Sequence, residues 1–509
     1  MKTWFILLLI VSCCLTSSPA SAAPVSASVP LDSWVYPALD KLSALGLIES
    51  ALQGSRPYSR SETARQVREA MDRSQAHPAP TVAGELVERL RTEFNAELSE
   101  QTSSDKPGYW KPLRELQIQG IFRDGESTSY AGSGIDAAQF PLNTNNYGLR
   151  YEDGGSVQAI LSTDARFLGR FLLEYRPVVL VNKEGDLDIR TLTGRAALGL
   201  GPFEISAGRQ ALWWGQGRHG SLVLTNNAQP LDMLRVTTPS PVQLPWIFRY
   251  LGPFSFDAFW SKLEENRDVP EPYFAGLRVN MKPLPWFELG ASRTVTFGGE
   301  GRPDVAWDEF ITILGGKNLA GDEDTSNNLA AIDARIRIPF LWDAEIYGEL
   351  GGEDEAGQFI SRKAFLVGIY LPRLEPSGRI SLRVEHADLS TIDFERPVWY
   401  RHSQYTSGYT HKGQILGHHT GGDSRDTYAE FTVRFPRADL RLSLDYERRG
   451  ETLPVQETHL QPGLSLEWPL GPQMRLIAHY STDKVSNFGY VEGEDRNLHF
   501  GRAGMTFTW

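Results

Sequence analysis

From about residue 114 to the C-terminus the chain alternates apolar and polar side chains almost without a break. Ile380, Leu382 and Val384 share one side, and Arg379, Ser381, Arg383 and Glu385 share the other. Ala438, Leu440, Leu442, Leu444 and Tyr446 repeat the split against Asp439, Arg441, Ser443, Asp445 and Glu447. Ala429, Phe431, Val433 and Phe435 do so opposite Tyr428, Glu430, Thr432 and Arg434, and residues 330–338 again. A period of two marks strands with one wet face. Stretches of about ten residues exceed the usual five or six of soluble sheets and match a tilted strand crossing a bilayer. The wet side carries Arg, Asp and Glu on strand after strand, as a charged lumen requires. Such segments number about sixteen to eighteen, and even counts are the rule for membrane barrels.

The last strand sharpens this reading. Ala503, Met505, Phe507 and Trp509 face one way, and Arg502, Gly504, Thr506 and Thr508 the other. A closing amphipathic strand that ends on an aromatic is similar to the terminal signal of outer-membrane proteins. Leu371–Gly378 and Pro436-Arg437 read as short periplasmic turns, and segments 210–243, 298–328 and 391–425 as extracellular loops.

The front of the chain has another period. Trp34, Leu39, Leu42, Leu45 and Leu47 predict one helix, Ala64, Val67 and Met71 a second, and Leu86, Leu90 and Phe94 a third. These apolar stripes predict a small bundle packed beneath the barrel, followed by the polar linker Gln101–Asp105. Ahead of it, Lys2, the apolar run Trp4–Val11 and Ser21-Ala22 describe a secretory signal cut after Ala22. Ile10-Val11-Ser12-Cys13 offers a competing lipoprotein box, at the cost of an unusually short signal. The expected organisation is a signal peptide over 1–22, a periplasmic helical region and linker over 23–105, and an outer-membrane barrel over 106–509. The fold class is mainly β, a transmembrane antiparallel β-barrel preceded by a small periplasmic α-helical segment.

Composition agrees. Aromatics reach 11%, with 13 Trp and 47 Gly, yet mean hydropathy is only -0.32, as alternating strands require. No apolar run of about 20 residues follows the opening segment, which excludes a helical membrane protein. The net charge of -12 disfavours a nucleic-acid partner. It is compatible with outer-membrane lipid, including lipopolysaccharide, where divalent cations bridge carboxylates to phosphates. Both cysteines, Cys13 and Cys14, fall in the signal. A mature chain without cysteine carries no disulfide framework, Cys-ligated metal or thiol nucleophile.

The most distinctive stretch runs from Gly208 to Pro230. Trp213, Trp214, Gln216, Arg218, His219, Asn226 and Asn227 lie among closely spaced glycines. Flat indole faces with amide and guanidinium forks are how proteins hold sugars. The competing reading places the tryptophans in an interfacial girdle and the glycines in a tight loop inside the lumen. A second cluster holds His411, His418, His419 and Asp423. Neighbouring His418 and His419 point to opposite sides of an extended chain, so no metal is expected there. No G-x-S-x-G, H-E-x-x-H or Walker A pattern is present, so neither a catalytic residue nor a cofactor is expected.

Trp213-Trp214-Gly215-x-Gly217, leading into Ser221-Leu222 and Asn226-Asn227-Ala228-x-Pro230, resembles the capsule assembly Wzi family. Gly413-x-x-Leu416-Gly417-His418 and Gly422-Asp423 support the resemblance. It implies an eighteen-stranded barrel over periplasmic helices. It also implies a lectin-like role in the cell outer membrane, attaching capsular polysaccharide or exopolysaccharide to the surface without catalysis. Trp213, Trp214, Gln216, Arg218, His219, Asn226, Asn227, His418 and His419 are then candidate polysaccharide contacts. Ser33–Ile48 and Tyr58–Ala64 look like an S-layer-homology repeat, which would let the N-terminal helices bind peptidoglycan. The alternative function is a porin or solute channel.

Overall fold

Within a lipid phase a sheet satisfies all its backbone groups only by closing on itself. The computed structural model describes residues 25–76, 78–103, 107–125, 127–129, 138–139, 141–303, 305, 326–353, 361–391 and 397–509, and its sheet is closed. The wall runs β1 (Tyr109–Asp124), β2 (Gly154–Phe167), β3 (Phe171–Asn182), β4 (Leu187–Leu200), β5 (Phe203–Gln210) and β6 (Leu231–Thr237). It continues β7 (Pro253–Lys262), β8 (Tyr273–Leu284), β9 (Phe287–Phe297), β10 (Ser326–Ile338), β11 (Ala344–Glu353) and β12 (Lys363–Leu371). β13 (Ile380–Asp388), β14 (Ser424–Phe435), β15 (Ala438–Arg449), β16 (Glu457–Gly471), β17 (Met474–Ser486) and β18 (Arg496–Thr508) complete eighteen staves. Each pairs antiparallel with its neighbours, and β18 returns to β1 with Ala503 opposite Gly120.

The alternation falls as the sequence pattern demands. On β15, Leu442 and Leu444 are exposed on the outside, whereas Asp445 and Glu447 are buried inside. At the end where β1 begins and β18 finishes, Trp110, Phe171, Trp286, Trp342, Trp468 and Trp509 ring the outer surface. That end carries the shortest turns and is therefore periplasmic, with an interfacial aromatic belt. No described helix is long and apolar enough to cross a membrane.

Among the described residues four helices precede the barrel: α1 (Val35–Ala44), α2 (Arg60–Ala76), α3 (Thr81–Glu93) and α4 (Asn95–Thr102). Leu39, Leu42, Val67, Leu86, Leu90 and Phe94 share one core, as their spacing predicts. The third expected helix stops one residue short of Phe94, whose φ of -107° breaks the α geometry before α4 starts.

The bundle does not simply lie beneath the barrel. Residues between and before the helices thread inside the wall. Lys282 Nζ donates to the Ala51 carbonyl at 3.1 Å, the Gln53 amide donates to Glu288 at 2.9 Å, and Arg278 Nε donates to Ser55 Oγ at 3.0 Å. Helical periodicity reports which faces pack together. It is silent about a non-helical segment whose amides are satisfied by charged strand side chains.

Segment 210–243 is likewise three things rather than one loop. Residues 211–230 fold back into the lumen, β6 is a short stave, and residues 238–252 connect at the periplasmic end. The expected signal over 1–22, residues 104–105 of the linker, most of the expected loop at 298–328 and residues 392–396 of the one at 391–425 lie outside the described residues.

Candidate functional site

Close backbone approach explains the glycines of the inward loop. Gly215 has a φ of +139°, and a Cβ there would overlap Ser221 Oγ and Glu349. At Gly217 a Cβ would strike the Gly220 carbonyl oxygen. Without side chains at these points the loop folds tightly in a space already lined by strand side chains.

Its backbone donors then meet strand carboxylates. The amides of Gly217 and Leu222 both donate to Glu349 at 2.9 Å. Those of Arg218 and His219 donate to Glu385 at 2.8 and 2.9 Å. Gln216 is fully buried; its Nε2 donates to Asp333 at 2.8 Å and its Oε1 accepts from Arg335 Nε at 2.9 Å. Buried polar groups satisfied this completely fix one loop conformation.

The tryptophans are structural at this position. Trp214 has no exposed surface; its indole donates to Asp257 at 3.1 Å and its ring packs on Phe259 at 5.3 Å. Trp213 donates to the Gly217 carbonyl at 3.1 Å and is 6% exposed. Neither ring offers an open face, and neither belongs to the aromatic belt. Asn226 and Asn227 tie the loop to its outer neighbours. The Tyr147 amide donates to the Asn226 carbonyl at 2.7 Å, and Asn227 Nδ2 donates to the Ile415 carbonyl at 3.0 Å.

The loop also meets the N-terminal segment inside the barrel. Ser55 and Arg56 pair antiparallel with Trp214 and Trp213, and the Gly215 amide donates to the Gly54 carbonyl at 2.9 Å. Asp40 of α1 binds Arg218 at 2.8 Å and Arg56 at 2.5 Å, with Arg383 at 3.7 Å. Burial pushes the Asp40 carboxyl up, but the guanidiniums of Arg218, Arg56 and Arg383 outweigh it and hold the group below its ordinary range. Material entering from both ends thus forms one hydrogen-bonded plug. Beside it lies a cavity of about 330 Å³ bounded by Trp34, Asp40, Arg218, His219, Arg383 and Tyr428.

The histidines converge where the sequence suggested they would not. Residues 418–421 form a turn, with the Gly421 amide donating to the His418 carbonyl at 3.1 Å, so the extended-chain argument does not apply. The His418 and His419 rings stack at 4.7 Å, and both Nε2 atoms lie 3.6 Å from Asp426 Oδ2. His219 Nε2 joins them at 3.5 Å from the same oxygen. His411 and Asp423 go elsewhere, to Glu264 and Thr452.

The profile described as "Capsule assembly protein Wzi" matches residues 129–500. The chain belongs to this family. It shares its barrel fold with a solved relative. That relative is Escherichia coli Wzi, described as an outer-membrane, carbohydrate-binding β-barrel involved in group 1 capsule assembly. It superposes with a TM-score of 0.71 at 19% identity, over 95% of this chain and 100% of that one. A Klebsiella pneumoniae protein described as "Uncharacterized 55.8 kDa protein in cps region" is 35% identical over 173 residues. That match spans about a third of either chain, 32% of this one and 33% of the relative.

Several residues that organise the family's barrel here escaped the sequence reading. Asp40 and Ser55 bear little local signal, because Arg218 and Arg383 on the one side and Trp214 and Arg278 on the other lie more than 150 residues away. Glu385 was legible only as a wet-side strand position and Glu349 was not singled out, since nothing nearby shows which loop amides they receive.

Proposed function

We propose that this protein attaches capsular polysaccharide, or a related exopolysaccharide, to the cell surface as a lectin-like platform, without synthesising or cutting it. The observation that carries this reading is the plug. A family of capsule assembly proteins is here built on a barrel whose lumen is crossed by paired segments Ser55–Arg56 and Trp213–Trp214. A barrel filled in this way is a scaffold for outer loops, and the same filling disfavours the porin reading.

The polymer contacts are assigned to the outer rim. Lys412 is exposed there, and Arg150 donates to its carbonyl at 2.9 Å. Burial first, then the nearby Arg209, lowers the Lys412 ammonium against the opposing pull of Asp232 and Glu264. A cationic rim on an acidic protein suits an anionic polymer. Trp213, Trp214, Gln216, Asn226 and Asn227 brace that rim from within, and Arg218, His219, His418 and His419 hold the plug to the wall. Outer-membrane lipid surrounds the apolar strand faces. Tethering to peptidoglycan falls to the outward faces of α2 and α3, because α1 is enclosed by the barrel and its neighbours.

The test is polymer partitioning in a deletion strain, comparing cell-bound with released polymer while total synthesis is assayed alongside. Polymer made but shed supports attachment. Unchanged retention sinks it.

A further inference from the structure

His219, His419, Asp426 and Asp445 come from four separate pieces of chain: the inward loop, the 389–423 loop, β14 and β15. Each contributes one donor atom, and all four atoms lie within 4.8 Å of one another. His219 Nε2 is 2.9 Å from Asp445 Oδ2 and 3.5 Å from Asp426 Oδ2, and His419 Nε2 is 3.6 Å from Asp426 Oδ2. Around a tetrahedral ion with bonds of about 2.0–2.2 Å, ligand atoms stand roughly 3.3–3.6 Å apart. The three separations above fall close to that range, and the widest, at up to 4.8 Å, must close as the donors draw in on an ion.

A second observation points the same way. The Asp426 side chain is 2% exposed, and neither of its oxygens accepts a hydrogen bond from the described residues. Burying a carboxylate without such bonds costs free energy, and setting a second carboxylate beside it adds repulsion. A divalent cation among the four donors relieves both.

We propose that these four side chains form a binding site for one divalent transition-metal ion of the zinc class. Two imidazoles with two carboxylates suit such an ion, whereas calcium and magnesium favour all-oxygen shells. Surrounding contacts orient the donors. The His219 ring stacks on Tyr428 at 3.8 Å, and the His419 ring stacks on His418 at 4.7 Å. His219 and Tyr428 border the internal cavity, which provides a route of entry. The ion's role is mechanical: it cross-links the plug loop and the outer loop to two adjacent staves.

The test uses the full-length protein, purified in detergent without a polyhistidine tag, with metal content measured by elemental mass spectrometry. One zinc-class ion per chain is expected in the wild type and its loss in Asp426→Asn and His419→Ala. Because either variant could fold poorly, the wild type is also stripped with a chelator and its melting temperature followed. A fall on stripping, reversed by Zn2+ and not by Mg2+, supports the site. Metal far below one per chain, with no response of the melting temperature to Zn2+, overturns it and leaves a proton shared between Asp426 and Asp445.

Discussion

Arg218 Nε lies 2.8 Å from Asp40 Oδ2, joining a loop that enters the barrel from outside the cell to a helix from the periplasmic side. Both side chains are largely buried, so their charges are worth far more together than apart. Asp40→Asn leaves Arg56 and Arg218 without their shared counter-charge and should cost roughly 3–5 kcal/mol. Arg218→Met should cost less, since Asp40 keeps Arg56 at 2.5 Å. Thermal unfolding of the detergent-solubilised variants measures the difference. Equal losses would mean that Asp40 is not the hub.

Gly217 has no room for a Cβ, because the Gly220 carbonyl already occupies that space. Gly217→Ala should dislodge the loop rather than the wall, which is held by its own ladder. In planar bilayers the wild type is expected to show little steady conductance, and this variant frequent openings. A silent variant that remains folded would place the block elsewhere.

Lys41 is fully buried in α1, and its ammonium has no hydrogen-bond partner among the described residues. Burial first, then Arg434, lowers it from 10.5 to about 7, against the opposing pull of Asp439 and Glu375. The folded protein therefore loses this proton above about pH 7, whereas the unfolded chain keeps it until near 10.5. More protons bound to the unfolded state means stability that rises with pH across that window. Lys41→Met should flatten the rise and stabilise the protein at pH 6 by roughly 1–3 kcal/mol. Melting temperatures between pH 6 and 10 measure both effects.

If the cationic rim touches an anionic polymer, the double variant Arg150→Ala, Lys412→Glu should shed several-fold more polymer while melting near the wild-type temperature. Trp213→Ala, Trp214→Ala should behave differently, since emptying a core site of two indoles costs several kcal/mol. Its retention defect should track the loss of folded barrel in the membrane. A double tryptophan variant that folds normally yet sheds polymer would return sugar binding to the loop itself.

Strand periodicity, the closing Phe507–Trp509 signal and the helical stripes of Leu39, Val67 and Leu86 were all legible in the sequence. Each depends on neighbours within one element, where the period of side-chain direction converts position into face. The Trp213–Asn227 motif was legible as special, and its resemblance pointed to the family. What that motif does inside the protein was not.

By itself, then, the sequence determined a membrane barrel with a charged interior and a helical preface, because alternation and apolar spacing are local physics. Only the tertiary structure decided that Trp214 meets Ser55, that Arg218 meets Asp40, and that His219 joins His419 at Asp426. Those pairings span tens to hundreds of residues and arise when closure of the wall forces unrelated segments into one lumen. Inside it every buried polar group needs a partner, and the partner is set by where the wall places its charges, not by what stands next in the chain.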